Sequence, residues 1–391
     1  MERYKYILVG GGMTADVAVD GIREIDPQGE ILLLSAEDVP PYNRPMLSKG
    51  LWKGKSIETI WRNTSQKAVE IKINTTVIKI NPELQTIYTS TGETLAYEKL
   101  LIGTGGSPRK LPFNEEGVIY YRNLNDFKML HSLYLEKKRF AVIGGGFIGS
   151  EIAAALAMND REVLLFDVGA GIGGNIFPKN VVQYLNHYYQ EKGVTVMPNV
   201  KVSNVIRQTQ GYQIMLNNNE QFNVDAVVAG IGIKPNVQLA EEAGLQISDG
   251  VDVNRYLQTT HKTIFASGDV TNFYNSLLDQ KIRVEHADNA IVMGRQAGRN
   301  MAGAGQPYDY LPFFYSDLFE IGYEAVGQLN SRSQVVEDWQ EEFVKGVLYY
   351  LANDRVRGVL LWNVWDKVEE AREVIGSAAP VEAKELKGRI K

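Results

Sequence analysis

Short apolar runs alternate along the chain with glycine turns and stretches of helical spacing, and one stretch sets the pattern. Phe140 to Ile143 is continuously apolar, Gly144-x-Gly146-x-x-Gly149 follows at once, and an alanine-rich segment carries helical spacing through Leu156. That order predicts strand, tight turn and helix. It suits a dinucleotide pyrophosphate: one glycine turns the chain, the next admits the phosphates, the third packs helix on strand, and the helix N-terminus faces the negative charge. Tyr4 to Val19 repeats the design as Gly10-x-Gly12-x-x-Ala15. One glycine pattern of this kind is weak; two, each between a predicted strand and a helix, point to two nucleotide sites in an α/β chain.

The pattern continues in order. Ala15 to Ile25 has helical spacing, and Glu30 to Ser35 reads as a second strand. Glu37, roughly 20 residues past the glycines, is the candidate for hydrogen bonding to the adenosine ribose. Pro40 to Trp52 is a loop stiffened by three prolines. It carries Arg44, suited to a bidentate phosphate contact, and Lys49. Val69 to Ile73, Thr76 to Ile80 and the return through Thr86 to Tyr97 read as a small antiparallel crossover, and Tyr97 to Ile102 as a buried strand. Arg122 to Leu130 opens a helix ahead of the second glycine unit, whose own second strand, from Glu162, ends on Asp167. A carboxylate there accepts from the 2′-hydroxyl of NAD and repels the 2′-phosphate of NADP; no arginine follows within that turn, so NADH is favoured. Thr263 to Val270 predicts a strand ending at Gly268-Asp269, where the acid suits a ribityl or phosphate-bridging group. A helix from Ala287 to Met301 follows Glu285-His286. From Tyr308 the chain turns to aromatic strands, closed by a helix at Lys367 to Ile375. In this third module Trp362 and Trp365 read as core packing, and earlier Tyr184 to Gln190 reads as a half-buried helix face.

Composition narrows the chemistry. With 391 residues, 44% of them hydrophobic, the chain reads as globular and of more than one domain. A net charge of −6 argues against a nucleic-acid footprint. There is no cysteine, which excludes disulfides, thiolate metal sites and thiol redox chemistry. His131, His187, His261 and His286 show no metal-ligand spacing, so no metal is expected. No apolar run reaches the length of a membrane span and the first strand begins by Tyr4, from which a cytoplasmic location is expected.

Several segments together resemble the FAD- and NAD(P)H-dependent pyridine-nucleotide oxidoreductases of the ferredoxin-reductase and rubredoxin-reductase type, with a particular likeness to the oxidoreductase region of apoptosis-inducing factor. They are Arg44-PMLSK, Tyr97-EKLLIGTGGSPR, Ile143-GGGFIGSE, Thr263-IFASGDV, Val284-EHADNA, Phe314-YSDL with Gly322-YEAVG, and Leu360-LWN, and they span nearly the whole chain. The resemblance implies two Rossmann-like nucleotide-binding domains, for FAD and NAD, plus a C-terminal α+β module: residues 1–112 and 237–306 for FAD, 113–236 for NAD, and 307–391 packing on the flavin. It implies FAD contacts from Gly10, Gly12, Ala15, Glu37, Arg44, Lys49, Val77, Arg122, Asp269, His286 and Ala287. On the nicotinamide side it implies Gly146, Phe147, Ile148, Gly149, Asp167, Gly232, Glu285, Tyr315, Glu324 and Asn363. Lys49 and Glu151 match the pair beside flavin N5, where a fixed ammonium stabilises the charge of the reduced ring and the carboxylate orients it. Three features depart from the pattern. Ala287 stands where relatives have Trp or His, Tyr315 replaces a Trp, and the long C-terminal insertion of apoptosis-inducing factor is missing, which argues against a cell-death role.

Without a redox cysteine, electrons must leave the flavin directly. The leading expectation is an NADH-dependent FAD oxidoreductase that reduces a small redox protein such as ferredoxin or rubredoxin. The alternatives are a redox-sensing flavoprotein that holds a long-lived charge-transfer complex with NADH, and an NADH oxidase or quinone reductase. A homodimer through the aromatic C-terminal module is a further option.

Overall fold

The computed structural model describes residues 1–113, 116–377, 380 and 382–391. They form two compact units, each assembled from three separate stretches of chain: Met1–Arg44, Ser56–Ser107 and Lys234–Pro312 make the first, and Pro45–Lys55, Pro108–Ile233 and Phe313–Lys391 the second.

In the first unit a seven-stranded sheet runs Glu70–Lys72, Ile31–Leu34, Glu2–Val9, Thr94–Ile102, and then branches. The early part of Thr94–Ile102 pairs antiparallel with Thr86–Thr89, and its end pairs in parallel with Ile264–Ala266. Every residue of Ile31–Leu34 is buried, as are Tyr6 to Val9 and Leu100 to Ile102. Continuous apolar runs of this kind arise where a parallel strand is covered on both faces. The helix Met13–Ile25 packs closely along Ala287–Met301. Glycines permit the approach, because a Cβ on Gly298 would lie 2.1 Å from the Ala18 carbonyl oxygen and one on Gly21 2.0 Å from that of Arg295. The sequence places Val69 to Ile73 in an antiparallel crossover; instead Glu70–Lys72 pairs in parallel with Ile31–Leu34 at the sheet edge. Alternating polarity says that one face is exposed, which an edge strand of a parallel sheet also satisfies.

In the second unit a five-stranded parallel sheet has the order Val194–Met197, Glu162–Phe166, Arg139–Ile143, Ala226–Ala229, Ile119–Tyr120. A three-stranded antiparallel meander, from Val202 to Val224, shares a core with it. The same unit contains a five-stranded antiparallel sheet, ordered Phe313–Leu318, Ile321–Gly327, Arg355–Trp362, Lys345–Ala352, Gln334–Glu341, and the helix Val368–Gly376. The helix Lys179–Glu191 turns Leu185 and Tyr189 inward, while Tyr184 and Tyr188 stack with ring centroids 6.0 Å apart.

Candidate nucleotide and electron-transfer site

The first unit carries the N-terminal glycine turn. Gly10 has φ +127°, and a Cβ there would lie 2.2 Å from the Gly103 carbonyl oxygen, so only glycine fits against the neighbouring strand end. Gly12 is the opposite case, with nothing within 4 Å of where its Cβ would stand. It caps the helix Met13–Ile25 without any side-chain cap, and Ala15 is buried in the first turn. Open space before an uncapped, positive helix end fits a pyrophosphate. Glu37 accepts from Arg44 Nη2 and from the Tyr42 hydroxyl, both at 2.7 Å, so these two candidates form one ion-paired group. Val77 is buried at the start of its strand.

Elsewhere in this unit His286 caps the helix that starts at Ala287, again without a side-chain cap. Burial pushes the His286 imidazole down to about 4, against the opposing pull of Asp269, so the ring is neutral at neutral pH. The sequence reading passed over Arg283. Its guanidinium donates to Glu285 at 2.5 Å, to Asp249 at 3.2 Å and to the Asp269 carbonyl at 3.3 Å, tying the Gly268-Asp269 turn to the helix entry.

The second unit repeats the glycine logic. Gly144 has φ +103°, nothing lies within 4 Å of a Cβ on Gly146, and a Cβ on Gly149 would meet the Gly144 carbonyl oxygen at 1.8 Å. The helix Phe147–Met158 again begins on a glycine with no side-chain cap. Asp167 accepts from the backbone N–H groups of Gly145 and Gly169, each at 2.7 Å, and thereby holds the glycine turn against the loop after its own strand. Gly232 has φ +88°, and the backbone N–H of Arg122 donates to Asp126 at the start of the helix Leu124–Glu136.

Lys49 and Glu151 meet as an ion pair in this unit, with side chains 11% and 5% exposed. The loop residues Ser48 and Lys49, the helix residue Glu151 and the strand residue Ser316 converge: Glu151 also accepts the hydroxyls of Ser48 and Ser316, each at 2.6 Å. Both serines lie in the quoted motifs, yet a serine in sequence gives no sign of its partner. Lys49 Nζ stands 4.9 Å from the Tyr315 ring centroid. Tyr315, Phe147 and Ile148 are half-exposed, and Phe147 meets Phe314 edge-on with centroids 5.0 Å apart. Tyr315 faces Glu324 across the strand pair. Burial, and then the charge of Asp366, raises the Glu324 carboxyl, and its Oε2 has no hydrogen-bond partner among the described residues. Asn363, at φ 49°, accepts from the Gly322 N–H and donates to the Val344 carbonyl, both at 2.8 Å. Trp362 is fully buried as expected, but Trp365 is 48% exposed. Trp365 lies over Gly322, where a Cβ would come within 2.4 Å of the indole; the missing side chain opens a seat on the sheet instead of in the core.

The glycine cradles and uncapped helix ends therefore fit two nucleotide cofactors, while the lack of cysteine leaves no thiol to pass electrons on. Comparisons with known proteins agree. Residues 4–294 match the family described as pyridine nucleotide-disulphide oxidoreductase, and residues 297–339 and 330–377 match the C-terminal family of apoptosis-inducing factor. The chain is 32% identical to mitochondrial apoptosis-inducing factor 1 of Dictyostelium discoideum, over 96% of this chain and 79% of that protein. It is 29% identical to putidaredoxin reductase of Pseudomonas putida, over 96% of this chain and 92% of the relative. Among solved structures, a covalent putidaredoxin reductase–putidaredoxin complex superposes with a TM-score of 0.91 at 29% identity, covering 98% of this chain and 95% of that one. No helix among the described residues is long and apolar enough to cross a membrane. The chain thus belongs to the pyridine nucleotide-disulphide oxidoreductase family as an NAD(P)H-dependent flavin oxidoreductase, built without the cysteines that give the family its name.

Proposed function

We propose that this protein takes a hydride from NADH, in preference to NADPH, and passes the electrons to a small redox protein of the ferredoxin or rubredoxin type. FAD, when bound, supplies the two-electron acceptor for the hydride and the one-electron donor to the carrier. The balance is two carriers reduced, one NAD⁺ formed and one proton released for each NADH. The chain's own contribution is binding, orientation and charge. Gly10, Gly12 and Ala15, with Arg44, Glu37, Val77, Asp269, His286 and Ala287 and with Lys49 and Arg122, would hold FAD. Gly146, Phe147, Ile148, Gly149, Asp167 and Gly232, with Glu285, Tyr315, Glu324 and Asn363, would hold the nicotinamide nucleotide. Lys49 supplies a fixed positive charge for the negative charge of the reduced cofactor, and Glu151 holds it in place.

The observation that carries this reading is the buried Lys49–Glu151 pair in a chain with no cysteine. A desolvated ion pair is costly unless its field is used or its hydrogen bonds are complete. Its test is anaerobic stopped-flow reduction by NADH followed by mixing with a ferredoxin or rubredoxin. Fast reduction and fast carrier reduction are expected, and Lys49→Ala should slow flavin reduction at least tenfold; an unchanged rate removes Lys49 from the mechanism. The exposed rings of Phe147 and Tyr315 favour a second reading, a slow NADH sensor in which they stack on bound nucleotide. Slow reduction, a persistent long-wavelength band and little transfer to any acceptor, quinone and oxygen included, would support it.

The preference for NADH rests on Asp167 and is checked by kcat/KM for the two nucleotides, expected higher with NADH. The cytoplasmic location and a homodimer belong to the same reading, open to cell fractionation and to sedimentation.

A further inference from the structure

Glu151 is the meeting point of three donors. Its Oε2 accepts the Ser48 hydroxyl, and its Oε1 accepts both the Ser316 hydroxyl and the Lys49 ammonium. Ser48, Glu151 and Ser316 are 6%, 5% and 1% exposed, so water does not compete for these bonds. The donors reach Glu151 from separate segments, two from the loop around Lys49 and one from the strand Phe313–Leu318. Ser316 lies directly opposite Tyr323 in the strand pair. A serine has one hydroxyl proton. Ser316 gives it to Glu151, and burial and then the Glu151 charge keep the Tyr323 phenol protonated.

A carboxylate anchored by one ammonium alone can rotate about its terminal bond and carry the ammonium with it. Here both oxygens are pinned, and the hydroxyl dipoles take up part of the negative charge that Lys49 would otherwise neutralise alone. We propose that Ser48 and Ser316 are positioning residues for Lys49: by clamping both oxygens of Glu151 they fix the ammonium and preserve its positive field. The proposal rests on the electron-transfer reading of Lys49. A merely structural account, in which the serines only satisfy a buried carboxylate, makes a different forecast.

The two are separated in the FAD-loaded protein by the flavin midpoint potential, FAD content and the kcat and KM of NADH oxidation. Ser316→Ala and Ser48→Ala each remove one hydroxyl with little change of volume. Each is expected to retain bound FAD, to make the potential more negative by the equivalent of about a tenfold equilibrium change, roughly 30 mV for a two-electron couple, and to lower kcat about tenfold with KM nearly unchanged. In a Glu151→Gln background, which removes the charge through which the serines act, either serine change should have little further effect. Equal shifts with and without the Glu151 charge would overturn the positioning role, and so would unchanged potentials in both serine variants. Lys49→Ala is the control: if the serine variants are silent while Lys49→Ala shifts the potential, this inference fails and the Lys49 reading stands. If Lys49→Ala is itself silent, both fall.

Discussion

Asp16 and Glu151 are both buried carboxylates, and they serve different ends. Asp16 lies in the first turn of the helix Met13–Ile25 and accepts from Arg62 and Thr64 at 2.5 Å and from Lys67 at 2.8 Å, pinning the segment 62–67 to the first unit. Asp16→Ala leaves the Arg62 guanidinium without its anion and Lys67 with Asp20 alone, and should lower stability by about 3–5 kcal/mol, read from urea unfolding. His286 gives a pH prediction. Its ring is depressed from 6.5 to about 4, so the unfolded chain binds the extra proton first, and its contribution to stability is lost as pH falls from 6.5 toward 4. His286→Gln should flatten unfolding free energy against pH in that window. Single residues were legible where a motif carried them, as Lys49 and Glu151 were. Ser48, Ser316 and Arg283 were not, because a hydroxyl or a guanidinium declares no partner until three distant segments are folded together. Trp365 misled for a related reason. A tryptophan in an apolar strand run reads as core, and the vacancy above Gly322 that seats it outside is visible only in three dimensions.

Each nucleotide turn is a strand, a bend and a helix whose parts tolerate change unequally. At Gly146 the space is open, whereas at Gly149 an added methyl collides with the Gly144 carbonyl. Gly149→Ala should therefore raise the KM for NADH at least tenfold while FAD content, measured from the visible spectrum, stays near that of the parent. Gly322→Ala should lift Trp365 from its seat; the expected sign is a changed tryptophan emission with no loss of secondary structure by circular dichroism. At this scale the sequence was read well, since apolar runs and glycine turns are local and the helix Ala287–Met301 has the ends expected of it. Pairing was harder. Glu70–Lys72 joins the parallel sheet because of what lies beside it, and no local pattern in a three-residue strand encodes a neighbour.

Over the whole molecule, the order of segments along the chain differs from their order in space. The loop Pro45–Lys55 belongs to the second unit although the chain on both sides of it belongs to the first. Periodicity could not reveal this, because membership of a unit is a property of long-range contacts and leaves no trace in a local window. The interleaving has a consequence during synthesis. The last residues of Thr94–Ile102 pair with Ile264–Ala266, and a ribosome needs about ten to thirty seconds to make the intervening chain. For that time the buried apolar end of this strand, Leu100 to Ile102, has one side without its partner, and the second unit waits longer, for the stretch that begins at Phe313. A stalled or truncated product would thus hold two unfinished sheets at once, so translation speed and chaperone supply should govern the yield of this protein more than its final stability does.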